Sequence, residues 1–453
     1  MKAVEYVLYF LMLGLFTFAP FDIALNLNIL GFNFRMVGLF LLSFILVGGY
    51  VILRNFGKTV LVFPLWLVFL VGAVLINTVF VFNSILILRG VMYALWFWLF
   101  VLLVFVFLNL SRSLDVNIVL KLYILSFVIH ALFGIVQQVG FYLFGINIFM
   151  AQPGRMNGFT YEPSYFVTYL SPVVILILLY SLFLDPKDLK RNLPYYLSVG
   201  IIASALFFST SKLVLIVLVL VLLFIVLFFA LIPFKGGIKS FVLQIGRNMV
   251  MVVVSFVVIF GITGFLIGTL PYYLYQGSQI DDRITLEKKI SEISESREET
   301  SFGPRLEEFK KTMKVAIENP IVGTSLGGVA PHKAVRAGVS PRNNQDVKPF
   351  EGMCVYAELL AGLGIFGFLI MALFGLFLVY DCVRVSISLI RRDMLREYVV
   401  LFALISGLII EMALLAFNQN ILRFYLWNHV AVTGFFLEVY RFQISQNSVN
   451  VDS

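Results

Sequence analysis

The sequence predicts an all-α polytopic membrane protein, a bundle of about 12 transmembrane helices with a large, partly helical extracytoplasmic loop. Three observations predict it. Hydrophobic side chains make up 61% of the 453 residues and charged ones 13%, about half the charged share of a soluble domain. Mean hydropathy is +0.99. The apolar residues also fall into runs of about 20, the length that crosses a bilayer core as a helix. This excludes a disordered chain, a secreted disulfide scaffold and a nucleic-acid module, because the net charge of +8 is spread over a lipid-soluble body and forms no basic face.

Cut at its charged and turn-forming interruptions, the chain gives spans at roughly 5–29, 36–53, 59–80, 86–109, 117–144, 165–184, 194–209, 213–233, 249–270, 353–380, 398–417 and 423–441. The first contains Pro20 and Asp22 but no A-x-A cleavage site before them, so it reads as a retained span, not a signal peptide. The seventh is short. With the N-terminus inside, short loops and span ends place sixteen basic residues inside, from Lys2, Arg54 and Lys58 to Arg396 and Arg441. Only Arg35, Arg89, Arg155, Lys212 and Arg423 fall outside, the asymmetry of the positive-inside rule. Both termini are then cytoplasmic. The chain divides into spans 1–9 with an outer loop at 145–164 (residues 1–270), an extracytoplasmic cap loop (271–352), and spans 10–12 with a cytoplasmic tail (353–453).

The cap loop is polar, with twelve basic and twelve acidic residues between Pro271 and Gly352. Pro304 suits the first turn of a helix, Glu307 and Glu308 its start, Lys310, Lys311 and Lys314 its end, and Asn319-Pro320 its stop. Leu306, Phe309, Met313 and Ile317 share one face of it, and Leu286, Ile290 and Ile293 suggest a shorter amphipathic helix before it. Such helices would lie on the membrane or cap the bundle mouth. Cys354 and Cys382 stand near opposite ends of one apolar run, too far apart for a disulfide. Phosphate-loop, dinucleotide, H-E-x-x-H and Cys/His metal patterns are absent from the sequence, so no cofactor and no metal are expected.

The most informative stretch is Arg155-Met-Asn-Gly158-Phe-Thr-Tyr161-Glu162-Pro163-Ser164, which leads into the sixth span. Ser209-Thr210-Ser211-Lys212 heads the eighth. The cap loop carries Arg305-x-x-x-Phe309 and then Asn319-Pro320-Ile-Val-Gly323-Thr-Ser-Leu-Gly327, and Gly364-Ile-Phe-Gly367 lies in the tenth span. In their order and sidedness these stretches resemble the motifs of the O-antigen polymerase and ligase superfamily, with Lys212 where the family has arginine. The resemblance implies a metal-independent inverting glycosyltransferase that polymerises polyprenyl-pyrophosphate-linked oligosaccharide units. It also implies membrane lipid and a chain-length regulator as partners, and no nucleic acid. Ligases of the superfamily carry a His-Asn pair about nine residues before a Glu-x-Gly-x-x-Gly. Here Met353 and Cys354 take that place and Gly362 stands where the Glu would be, which favours polymerase over ligase. A transporter or flippase for the lipid-linked glycan is the alternative from another class, but its critical charges would line a path through the bilayer midplane.

Physical chemistry fits this reading. A glycan transferred on the outer face arrives activated on a lipid pyrophosphate, so the site must hold a diphosphate. Arg155, Lys212 and Arg305 are candidates to stabilise that leaving group, with Arg89 and Tyr161 as further phosphate- or glycan-binding residues. Glu162 and His332 are candidate general bases for the acceptor hydroxyl. Each has a plain reading too: Arg155 and Arg305 as solvated loop charges, Lys212 as a snorkelling lysine, Glu162 as a helix-start carboxylate, His332 as a surface histidine. Ionisable residues within spans, namely His130, Glu358, Glu411 and His429 besides Arg89, are functional candidates by their cost in lipid. Glu358 is a candidate partner for Arg89 or Lys212, and Glu411 with His429 a structural pair.

Overall fold

The computed structural model describes residues 2–22, 26–29, 32–55, 60–150, 154–185, 187–232, 238–270, 302–352, 354–417 and 421–449. Among these, twelve long helices fall on the twelve expected segments. They are α1 (Lys2–Phe18), α2 (Met36–Arg54), α3 (Leu65–Val79), α4 (Ile87–Leu110), α5 (Val116–Phe144), α6 (Pro163–Leu182), α7 (Leu189–Phe208), α8 (Leu213–Leu231) and α9 (Ile238–Gly264), then α13 (Val355–Arg391), α14 (Leu395–Leu414) and α15 (Phe424–Val449). Nine helical segments among the described residues are long and apolar enough to cross a membrane, which makes this a multi-pass membrane protein. The other three are α1, with 17 residues, α7, which opens on Lys190 and Arg191, and α15, which carries His429, Glu438 and Arg441.

The first span is shorter than expected. Helix α1 stops at Phe18, two residues before Pro20, which can donate no backbone hydrogen bond and disfavours helix in the residue before it. The chain then forms an antiparallel hairpin of β1 (Asn26–Ile29) and β2 (Phe32–Arg35), with Asn26 opposite Arg35. The alternation Asn26-Leu27-Asn28-Ile29 has the period of a strand. Helix α13, in turn, outruns its apolar segment to reach 37 residues and breaks at Gly364, where φ is 64° and ψ −175°.

The chain divides into two compact units. The first comprises Met1–Phe21, Leu25–Tyr123 and Pro304–Ser453. Its core is an aromatic stack in which Phe100 lies parallel to Trp427 at 5.7 Å, Trp427 faces Phe374 at 6.2 Å, and Phe374 meets Trp66 at 6.1 Å. Lipid is as apolar as these rings, so their mutual fit, not escape from water, holds them together. From the cap loop the unit receives α10 (Phe302–Glu318), α11 (Val329–Arg336) and α12 (Asn344–Val347). Helix α10 forms where its sequence signals place it, and the face it packs inward is not its apolar stripe. Thr312, Val315 and Ala316 are buried, while Leu306, Phe309 and Ile317 are exposed. Val315 and Ala316 are small enough to lie close against Val329 and Ala361. The shorter helix expected around 286–293 lies outside the described residues.

The second unit, Asp22–Ala24 with Ile124–Gly303, is built around α6, whose side chains are nearly all buried. Helices α7 and α9 approach closely at Gly200, where a Cβ would sit 2.7 Å from the Ser255 carbonyl oxygen. Buried polar groups join the helices. Asn248 Nδ2 donates to the Leu182 carbonyl at 2.8 Å, and its Oδ1 accepts from the Tyr196 hydroxyl at 2.8 Å. In lipid such bonds replace the water the groups have lost.

Candidate functional site

In the second unit the Arg155 loop is held from α5 by a pair of buried amides. Gln137 Oε1 accepts from the Gly158 and Asn157 amides at 3.0 and 3.3 Å, and its Nε2 donates to the Gly158 carbonyl at 3.2 Å. Gln138 Nε2 and the Tyr142 hydroxyl both donate to the Gly154 carbonyl, at 2.9 and 3.2 Å. Gly158 adopts φ +57° and a Cβ there would strike the Phe166 ring at 2.8 Å, so this position needs glycine twice over. Thus fixed, half-buried Arg155 donates through Nε to Thr210 Oγ1 at 3.4 Å. Two of the expected motifs, 55 residues apart, therefore meet. Burial pulls the Arg155 guanidinium below its ordinary value, and the nearby Glu162 carboxylate pulls it partly back. Glu162 stands just before α6, where its Oε2 accepts from the Ser164 hydroxyl at 3.1 Å. Lys212 and Tyr161 are exposed.

In the first unit, Pro320–Gly328 is laid against the break in α13. The Ile365 amide, which an unbroken helix would give to Ala361, donates to the Pro320 carbonyl at 2.8 Å; the Ala361 carbonyl accepts instead from the Thr324 amide at 3.0 Å. Asn77 Oδ1 takes the Leu326 amide at 2.8 Å, and Asn83 Nδ2 donates to the Gly323 carbonyl at 3.1 Å. These backbone groups are thus satisfied within the protein, as a non-helical stretch among membrane helices requires. Only glycines permit the approach. A Cβ at Gly364 would lie 2.6 Å from the Val322 amide nitrogen, and one at Gly327 2.7 Å from the Arg89 carbonyl oxygen.

This packing sets Arg89, at the start of α4. It is buried, and its donors are taken up by protein groups: Nε by the Gly327 carbonyl at 3.1 Å, Nη1 by Asn344 Oδ1, and Nη2 by the Tyr93 hydroxyl at 2.6 Å and Glu351 Oε1 at 2.9 Å. Its guanidinium also lies over the Tyr93 ring, 4.7 Å from the centroid. The ion partner of Arg89 is therefore Glu351. Glu358, the partner suggested by the sequence, accepts from the Gly352 amide at 2.9 Å. Arg89 opens onto a cavity of about 180 Å³ whose wall also bears Arg35 from β2, Lys348 from the turn after α12, and Arg423 from the residue before α15. Among the described residues, four cationic side chains and one carboxylate, Glu351, line it.

No family model and no curated protein matches this chain. The site rests on its own geometry. His332 is half-buried on α11, its Nδ1 2.8 Å from the Gly328 carbonyl oxygen. A carbonyl only accepts, so Nδ1 carries the proton and Nε2 the lone pair of the neutral ring. Arg305 lies in the first turn of α10, with its side chain outside the described set. Glu411 and His429 form the expected pair, fully buried, with Nδ1 to Oε2 at 2.8 Å and Nε2 to the Leu404 carbonyl at 3.0 Å. Both cysteines are free. Among the described residues no three His, Cys, Asp or Glu side chains gather as a metal cage. Sequence reasoning missed Gln137, Gln138, Tyr93, Asn344 and Glu351. Adjacent amides inside an apolar segment were the available signal for the first two.

Proposed function

We propose that this chain is a membrane glycosyltransferase of the O-antigen polymerase type. It acts on the outer face of an inner membrane, joining polyprenyl-pyrophosphate-linked oligosaccharide units. The observation that carries the reading is the meeting of the Arg155 loop with Thr210, which joins two stretches that resemble motifs of one superfamily. In the reaction the acceptor hydroxyl oxygen bonds to the anomeric carbon of the donor sugar, and the bond from that carbon to the pyrophosphate oxygen breaks. Polyprenyl pyrophosphate leaves with the electron pair, and attack from the opposite face inverts the centre. In the second unit Arg155 and Lys212 serve to stabilise charge growing on the leaving group and Glu162 to take the hydroxyl proton; Arg305 and His332 of the first unit are the alternative candidates for these two roles. The tautomer set by Gly328 supports His332, because it leaves Nε2 as an acceptor.

The test is a glycan ladder assay in membranes supplied with a polyprenyl-pyrophosphate repeat unit, comparing the parent with Arg155→Ala, Lys212→Ala and Arg305→Ala at matched expression. Loss of one donor to a developing anion slows a reaction about 100-fold or more, so the ladder is expected to collapse towards a single unit. An undiminished ladder in all three variants would sink the clamp. Polymer appearing only on another acceptor would make the protein a ligase.

A further inference from the structure

The cavity above Arg89 belongs to none of the sequence motifs that carry the polymerase reading, and its chemistry is specific. Its wall joins two features. One is charge: Arg35, Arg89, Lys348 and Arg423 against Glu351, whose carboxylate is already engaged by Arg89. The other is aromatic surface. Tyr93 and Trp96 lie on one side of α4, and Trp96 is braced edge-on by Phe424 at 5.3 Å. The Tyr93 hydroxyl accepts from Arg89, which directs its own proton elsewhere. At about 180 Å³ the space admits a ligand of the scale of one sugar ring. Arginine forks suit oxyanions, and aromatic faces suit the C–H faces of sugars.

We propose that this cavity binds a single anionic sugar, a ring bearing a phosphate or a carboxylate. The ring rests against Tyr93 and Trp96, and its oxyanion is held by Arg35, Lys348 and Arg423. Arg89, tied to Gly327, Tyr93, Asn344 and Glu351, is a positioning residue that fixes the wall and adds its field. The assignment does not depend on the polymerase reading. If both hold, the repeat unit is acidic.

Titration calorimetry on the purified full chain in detergent tests it, with glucose 1-phosphate, glucuronic acid, glucose, inorganic phosphate and dodecyl phosphate as probes. Glucose 1-phosphate, glucuronic acid or both are expected to bind at least about tenfold tighter than glucose and inorganic phosphate. Whichever of the two is tighter identifies the oxyanion. Lys348→Gln, at an exposed position, and Arg35→Gln are expected to weaken that binding about tenfold each while leaving the thermal unfolding midpoint in place. Equal affinity for glucose and its charged relatives would overturn the proposal, as would full affinity in both variants. Inorganic phosphate binding as tightly as the sugar phosphate would reduce the cavity to a plain oxyanion site. Dodecyl phosphate displacing the sugar would make it a lipid-headgroup seat. Either result refutes the sugar assignment. None of these readouts requires polymerisation, so failure here and failure of the ladder assay are separately visible.

Discussion

Replacing Gly364 with alanine isolates the joint between α13 and Pro320–Gly328. At φ 64° and ψ −175° the residue sits in a backbone region open essentially to glycine alone, and holding an alanine there costs about 1–3 kcal/mol. The added methyl would meet the Ile321 carbonyl and lie 2.6 Å from the Val322 nitrogen. Both are main-chain atoms that cannot swing aside as a side chain can, so overpacking adds about 1–3 kcal/mol. The sum is at least about 2 kcal/mol, which raises the unfolded fraction about 30-fold. Gly375→Ala is the control. It lies in the same helix with nothing within 4 Å of its would-be Cβ, and alanine is favoured there by about 0.5–1 kcal/mol. The assay is the temperature at which detergent-solubilised protein loses its monodisperse peak. Gly364→Ala should fall well below the parent and Gly375→Ala should match or exceed it. Equal midpoints for all three would refute the claim that this joint needs glycine.

Two further perturbations follow from buried polar pairs. Removing one partner of the Glu411–His429 pair, as Glu411→Ala or His429→Ala, is expected to cost about 1–3 kcal/mol. The apolar double change Glu411→Leu with His429→Phe should cost clearly less than the two single losses together, and a double-mutant cycle in unfolding midpoints checks this. In the cap, burial raises the Glu308 carboxyl, but Lys311 and Lys333 outweigh it and hold it below its ordinary value of 4.5. Its contribution is therefore present above 4.5 and lost as pH falls through the lower folded value. Glu308→Gln, which deprives the buried Lys333 ammonium of its 2.6 Å partner, should destabilise the protein by about 3 kcal/mol at neutral pH. The gap to the parent should close in acid, and a gap independent of pH would refute the role assigned to the ion pair.

The long helices were legible because hydropathy alone decides which segments leave water, and the motifs around Arg155 and Thr210 stood out as polar interruptions of that pattern. The hairpin at Asn26–Arg35 was not read, since its apolar alternation blends into the run that begins in α1. The inward face of α10 was not legible, for a different reason. Its apolar stripe Leu306–Phe309–Ile317 is the strongest local signal, yet Ala361 and Val329 demand small neighbours, and these are distant in sequence. The cationic cavity shows the same limit. Arg35, Arg89 and Arg423 were visible as charges beside span ends, but nothing local in residues 35, 89, 348 and 423 says that they share one wall.

A ribosome delivers Pro320–Gly328 about 40 residues before Gly364. When α13 then enters the bilayer, its Ala361 carbonyl and Ile365 amide must find partners in a solvent that offers neither. The earlier segment supplies both, so threading of the tenth long helix and seating of the loop are a single biogenic event. Lesions between Pro320 and Gly328 should therefore surface as protein that the cell degrades during insertion. Mature protein with a weakened joint would be the rarer product, and abundance in the membrane becomes the first phenotype of that stretch.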